Sequence, residues 1–130
     1  MKTITRALCA FFLFSALVGC STLGDARNAK GQGTVKIYHA DFDKTWNVVH
    51  QVINELGLPM AGENKAEGYI LAQNGMSFFS YGENVAIFVE KTTKDDRTKV
   101  EVVSKRAMST NVLATNWELK IIGKLDEEIR

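Results

Sequence analysis

The sequence is poor in the residues from which most catalytic and metal sites are built. Two cysteines, two histidines and one proline occur in 130 residues. Two cysteines allow at most one disulfide, which excludes a disulfide-stapled scaffold. His39 and His50 are not at the His-x-x-x-His spacing of a helical metal site, and no metal is expected. Neither a Gly-x-Ser-x-Gly elbow, a Ser-x-x-Lys pair nor a phosphate-cradling glycine loop is present, so no catalytic residue is assigned. The single proline and the lack of internal repeats exclude a proline-rich spacer and a repeat array. No apolar run reaches the roughly 20 residues that a spanning helix needs.

What is present begins at the N-terminus. Lys2 and Arg6 precede Ala7 to Val18, which is almost wholly apolar. This is the charge order and length of an export leader. The stretch ends Leu17-Val18-Gly19-Cys20, which resembles the lipobox of bacterial lipoproteins. Small residues there let the signal peptidase reach the backbone, and the cysteine sulfur takes the lipid. The expectation is a signal peptide over 1–19, cleavage between Gly19 and Cys20, and diacylglycerol plus an N-acyl chain on Cys20, with no other cofactor. Cys9 leaves with the leader, so the mature chain has no free thiol.

Losing Lys2 and Arg6 leaves 14 basic against 15 acidic residues, a net charge of about −1. That points away from nucleic acid and from electrostatic membrane binding. The lipid supplies the attachment, at about 0.8 kcal/mol per buried methylene. Ser21 stands where an aspartate commonly retains lipoproteins in the inner membrane of enteric-type bacteria. Its presence points to the outer membrane, facing the periplasm.

Ser21 to Gly33 is small, polar and glycine-rich, and with Cys20 it reads as a flexible tether over 20–33, spanning about 20 Å. The domain is expected over 34–130. Thr34 to Ala40 reads as a strand. Phe42, Trp46, Val49, Ile53 and Leu56 then form one face of a helix that Asp41 or Asp43 caps and that Gly57 and Pro59 stop. Glu63 to Gly68 reads as a turn, Tyr69 to Gln73 as a strand, and Glu83 to Thr92 with Lys99 to Arg106 as an antiparallel hairpin. A second helix over Thr115 to Ile129 carries Trp117, Ile121, Ile122, Leu125 and Ile129 on one face, with Gly123 read as a point of close approach to the sheet. The predicted order is β-α-β-β-β-α, an α+β two-layer sandwich with two helices packed on an antiparallel sheet.

These residues, from the lipobox through Phe42-x-x-x-Trp46 and Leu56-Gly57-Leu58 to Gly68-Tyr69-Ile70-Leu71-Ala72 and Thr98-Lys99-Val100-Glu101-Val102, carry a resemblance. They resemble a domain-of-unknown-function family of small bacterial lipoproteins. More distantly they are similar to the helix-grip domains of a lipoprotein in the outer-membrane β-barrel assembly machine. The resemblance implies a fold and a compartment and transfers no catalytic residue.

The aromatic content of the sheet is the other signal. Phe78, Phe79 and Tyr81 crowd together, and Phe88 and Val103 alternate with the Val85/Ile87/Val89 and Val100/Val102 rows. With Tyr38 they form the expected binding face, turned away from the helices. The alternative is that the Met76 to Tyr81 segment folds over it. Glu63, Glu67 and Glu83 are acidic residues near turns that would imitate a glycosidase pair, although solvated carboxylates are the commoner outcome. Asp126, Glu127 and Glu128 would meet a cation or a basic partner. Three functions follow. The first is a non-enzymatic accessory lipoprotein that binds an envelope protein. The second is a module for a small apolar ligand. The third is an inhibitor or immunity lipoprotein that uses the Met108 to Ala114 loop as a plug.

Overall fold

The structure is a computed structural model that describes residues 21–75, 82–94, 96–107 and 115–129. Five strands form one antiparallel sheet: β1 (Thr34–Tyr38), β2 (Met60–Asn64), β3 (Tyr69–Asn74), β4 (Glu83–Lys91) and β5 (Thr98–Arg106), in the order β1-β5-β4-β3-β2. Helices α2 (Phe42–Glu55) and α3 (Trp117–Glu128) cover one face, and the short helix α1 (Leu23–Asn28) lies on the other.

The α+β sandwich holds, and its helices follow from the apolar periodicity. Asp41 caps α2 by accepting from the Lys44 N–H at 2.8 Å, and Gly57 stops the helix in the left-handed conformation. Trp46, Val49, Val52 and Ile53 of α2 and Trp117, Ile121 and Leu125 of α3 are buried against Ile70, Val85, Ile87, Val89, Val100 and Val102. The hairpin has the expected pairing, with Ile87 opposite Val102 and Val89 opposite Val100.

Three expectations change. The 20–33 segment is not a free tether among its described residues. Thr22 and Asp25 make a reciprocal capping box that starts α1, and Ala26 and Ala29 are buried on the sheet. Residues 60–62, assigned to no element, and Glu63 and Asn64, expected in a turn, form edge strand β2, paired with β3 through a register shift between Met60 and Gly62. Gly123 does not approach the sheet. It is exposed, and a Cβ there would meet open space.

Gly68 is constrained both by its backbone and by a close neighbour. Its φ of 69° is left-handed, and a Cβ would lie 2.4 Å from the Val89 carbonyl oxygen. Two predictions follow, both read by urea unfolding. Gly68→Ala should destabilise by about 2 kcal/mol or more through strain and overlap. Gly123→Ala should stabilise by about 0.5–1 kcal/mol, because a solvent-facing helix interior only gains from the better helix former.

Candidate functional site

The alternation that singled out Phe88 and Val103 is real, but their face is covered. Ala26 of α1 and Ala29, its C-cap, pack on Ala86, Phe88 and Val103, with Tyr69 and Leu71 at the margin. Phe88 is 4% exposed and Val103 1%. Small side chains at i and i+3 let the α1 backbone sit close to the sheet. Lys30 lies 5.3 Å from the Phe88 ring centre, and Arg27 4.2 Å from that of Tyr69.

The chain leaving α1 is clamped by Glu101. Its buried carboxylate accepts from the Gly31 N–H at 2.5 Å and the Gly33 N–H at 3.1 Å. Charge-assisted bonds of this kind are roughly twice as strong as neutral ones. Lys30 pairs with Glu90, which Lys99 also meets at 2.5 Å.

Tyr38 lies on the other face. It is buried under α3, and its hydroxyl donates to Asp126 Oδ1 at 3.0 Å. The structure therefore does not bring Tyr38 together with Phe88 and Val103. Phe78, Phe79, Tyr81 and the Met108 to Ala114 loop lie outside the described residues, as do Gly19 and Cys20.

The acidic candidates are also placed. Glu63 and Glu67 flank the β2–β3 turn. Glu63 meets His50 at 2.7 Å and Glu67 meets Arg27 at 2.6 Å. Glu83 is buried at the start of β4, where it accepts from Asn74 at 2.7 Å and from the Trp117 indole at 3.5 Å. The Gly68 end of β4, beside Val89, is opposite the Glu83 end, so these carboxylates do not converge. Asp126 pairs with Lys36 at 2.5 Å, and Glu127 and Glu128 share Lys124 at 3.0 and 3.9 Å. Among the described residues no cluster of three or more His, Cys, Asp or Glu side chains is arranged to hold a metal. No helix of the described residues is long and apolar enough to cross a membrane.

Two surface features remain. An open cleft of about 470 Å³ lies at the Lys91 end of β4, lined by Phe42, Asp43, Lys65, Glu67, Val89 and Lys91 among others. Lys65 sits 2.8 Å from Asp43 and holds that carboxyl below the usual carboxylate range, while Lys91 lies 5.6 Å from the Phe42 ring centre. A carboxylate so held stays ionised at neutral pH and is poorly suited to act as a general acid. The other feature is edge strand β1. Val35 and Ile37 project from the face opposite α3 and are 50% and 53% exposed, among the few large apolar side chains of the described residues left in solvent. Sequence periodicity missed this pair, because strand order, and hence which strand is an edge, is not written in a local pattern.

No family model matches the chain, and no curated protein matches it. Among solved structures, an uncharacterized protein from Bacillus thuringiensis is similar over 74% of this chain and 90% of its own, at 9% identity and a TM-score of 0.48.

If α1 completes a core, Phe88→Ala should cost about 3–5 kcal/mol in urea unfolding. The pH dependence is also defined. Hydrogen bonds from Lys30 and Lys99 lower the Glu90 pKa, and those from Lys36 and Tyr38 lower that of Asp126. Depressed carboxylates stabilise fully above their ordinary value of about 4, and that contribution is lost as pH falls through the lower folded values. Burial and then Asp126 raise the Tyr38 pKa, so its contribution is complete below about 10 and lost above it. Melting temperature measured against pH should fall on both sides. Glu90→Gln should flatten the acid limb and Tyr38→Phe the alkaline one.

Proposed function

We propose that this chain is an envelope lipoprotein, exported behind residues 1–19 and acylated on Cys20. In this reading it is held at the periplasmic face of the outer membrane, and its domain binds another envelope protein without catalysing a reaction. The anchor is supported by the basic n-region, the apolar stretch and Leu17-Val18-Gly19-Cys20. The family resemblance of the sequence to small bacterial lipoproteins fits the same reading.

The binding role is carried by one observation. β1 is a sheet edge with two half-exposed aliphatic side chains, Val35 and Ile37, on one face. A strand edge offers N–H and C=O groups to an added strand, and aliphatic side chains beside it give that strand something to bury. The fitting partner is an extended segment of another protein. The interface between α2, α3 and the sheet is filled by side chains such as Ile53, Ile70, Ile87, Ile121 and Leu125. That filling weighs against the small apolar ligand.

In-cell photo-crosslinking tests the role, with the probe at Ile37 and a control probe at Lys94 on the β4–β5 turn. One dominant envelope protein should be captured from Ile37 alone. Val35→Lys combined with probe placement at Ile37 should abolish that capture while shifting stability by no more than about 0.5 kcal/mol, as expected for an exposed position. Capture of lipid alone, or of nothing, overturns the binding role. For the anchor, Cys20→Ser should leave the leader uncleaved and remove the acyl mass from the purified chain.

A further inference from the structure

The segment next to Cys20 is part of the fold. The Ser21 N–H donates to the Ala107 carbonyl at 3.2 Å, and its hydroxyl donates to the Arg106 carbonyl. The Ser21 carbonyl accepts from Asn84 Nδ2 at 2.8 Å. Asn84 is 1% exposed, and its Oδ1 accepts from Gln73 at 2.9 Å, so the group that holds Ser21 is itself held. Ala107 in turn donates to the Gly82 carbonyl at 3.0 Å. One residue later, Thr22 and Asp25 lock the start of α1.

Resting on the lipid-anchor reading, we propose that the domain stands end-on at the bilayer, with the Gly82–Ala107 end of the sheet against the headgroups and the opposite end displayed to the aqueous space. Consecutive Cα atoms are about 3.8 Å apart, so an acylated Cys20 leaves one peptide unit between lipid and sheet. A free tether over 20–33 would let the domain roam about 20 Å and turn in any direction. Three hydrogen bonds at Ser21 and the docked α1 remove that freedom. Exposed Arg106, whose carbonyl binds Ser21, brings a cation to the headgroup phosphates. Strand β4 runs from Glu83 at this end to Lys91, a rise of about 26 Å at 3.3 Å per residue. The Phe42–Lys65–Lys91 cleft and the β4–β5 turn are therefore held far from the membrane, and edge strand β1 faces sideways, open to a partner.

The full chain, expressed with its leader, purified in detergent and reconstituted into phosphatidylcholine–phosphatidylglycerol vesicles with a trace of headgroup-labelled acceptor lipid, tests this. A lipidated chain has no other free thiol, so Arg106→Cys and Lys94→Cys each take one donor dye. Energy transfer should be several-fold stronger from position 106 than from 94. A flexible Gly/Ser insertion of about a dozen residues after Cys20, spanning ~20 Å, should level the two. Equal transfer without the insertion overturns the end-on placement, and a contrast that survives the insertion overturns its origin in the short attachment. The mass of the purified chain and its flotation with vesicles are read first. A chain without diacylglycerol fails the anchor reading itself, whereas a lipidated chain with equal transfer fails the orientation alone.

Discussion

The structure depends on the burial of β4 from both sides. From Asn84 to Val89 every residue is buried, although strands with one covered face show apolar side chains only at alternate positions. Val85, Ile87 and Val89 meet α2 and α3, while Ala86 and Phe88 need a second cover. Burying a side chain the size of Phe88 contributes about 2–3 kcal/mol, so leaving that face in water would forfeit a large part of a small domain's stability. The cover is α1, drawn from the residues that directly follow the proposed lipid attachment. If Cys20 is acylated as proposed, anchoring and core completion meet in one short segment.

Polar burial serves the same end. Glu101 holds the Gly31 and Gly33 N–H groups, Asn84 holds Ser21, Thr98 donates to the Ala40 carbonyl at 2.8 Å, and Thr45 donates to that of Asp41 at 2.8 Å. Each of these side chains ties a connection to the sheet or starts a helix. Buried polar groups are normally paired, and here the pairs fix the path of chain that has little apolar surface of its own. Glycine and alanine between Gly24 and Gly33 could not hold α1 by packing alone.

How much of this was legible follows from the range of each signal. Helices α2 and α3 and the β4–β5 hairpin are read from local periodicity, since 3.6- and 2-residue repeats each cover an element with one buried face. The phase of Phe88 against Ile87 correctly assigned it to the second face. What that face meets is a long-range question, and the Thr22–Asp25 capping box that starts α1 lies in a stretch that composition alone reads as a flexible tether. Strand β2 was illegible because Met-Ala-Gly-Glu-Asn lacks β-branched residues; it is an edge held by pairing with β3. Tyr38 was misplaced for a related reason. Its phase in β1 is visible, but only the pairing with β5, Tyr38 opposite Thr98, shows which face that phase selects.

The cover over Phe88 also limits where a partner could bind. A face that is buried by the domain's own chain is unavailable unless α1 is displaced, which would break the Glu101 clamp and the bonds at Ser21 together. Each net hydrogen bond is worth about 0.5–1.5 kcal/mol, and the charged ones more, so displacement would cost several kcal/mol before any new contact formed. An edge strand carries no such cost. Backbone groups on an open strand edge ordinarily bond to water, and an added strand would exchange those bonds at little net expense while covering Val35 and Ile37. In the proposed role, recognition at β1 would therefore cost this fold less than recognition at the face under α1, and it would leave the segment from Ser21 in place.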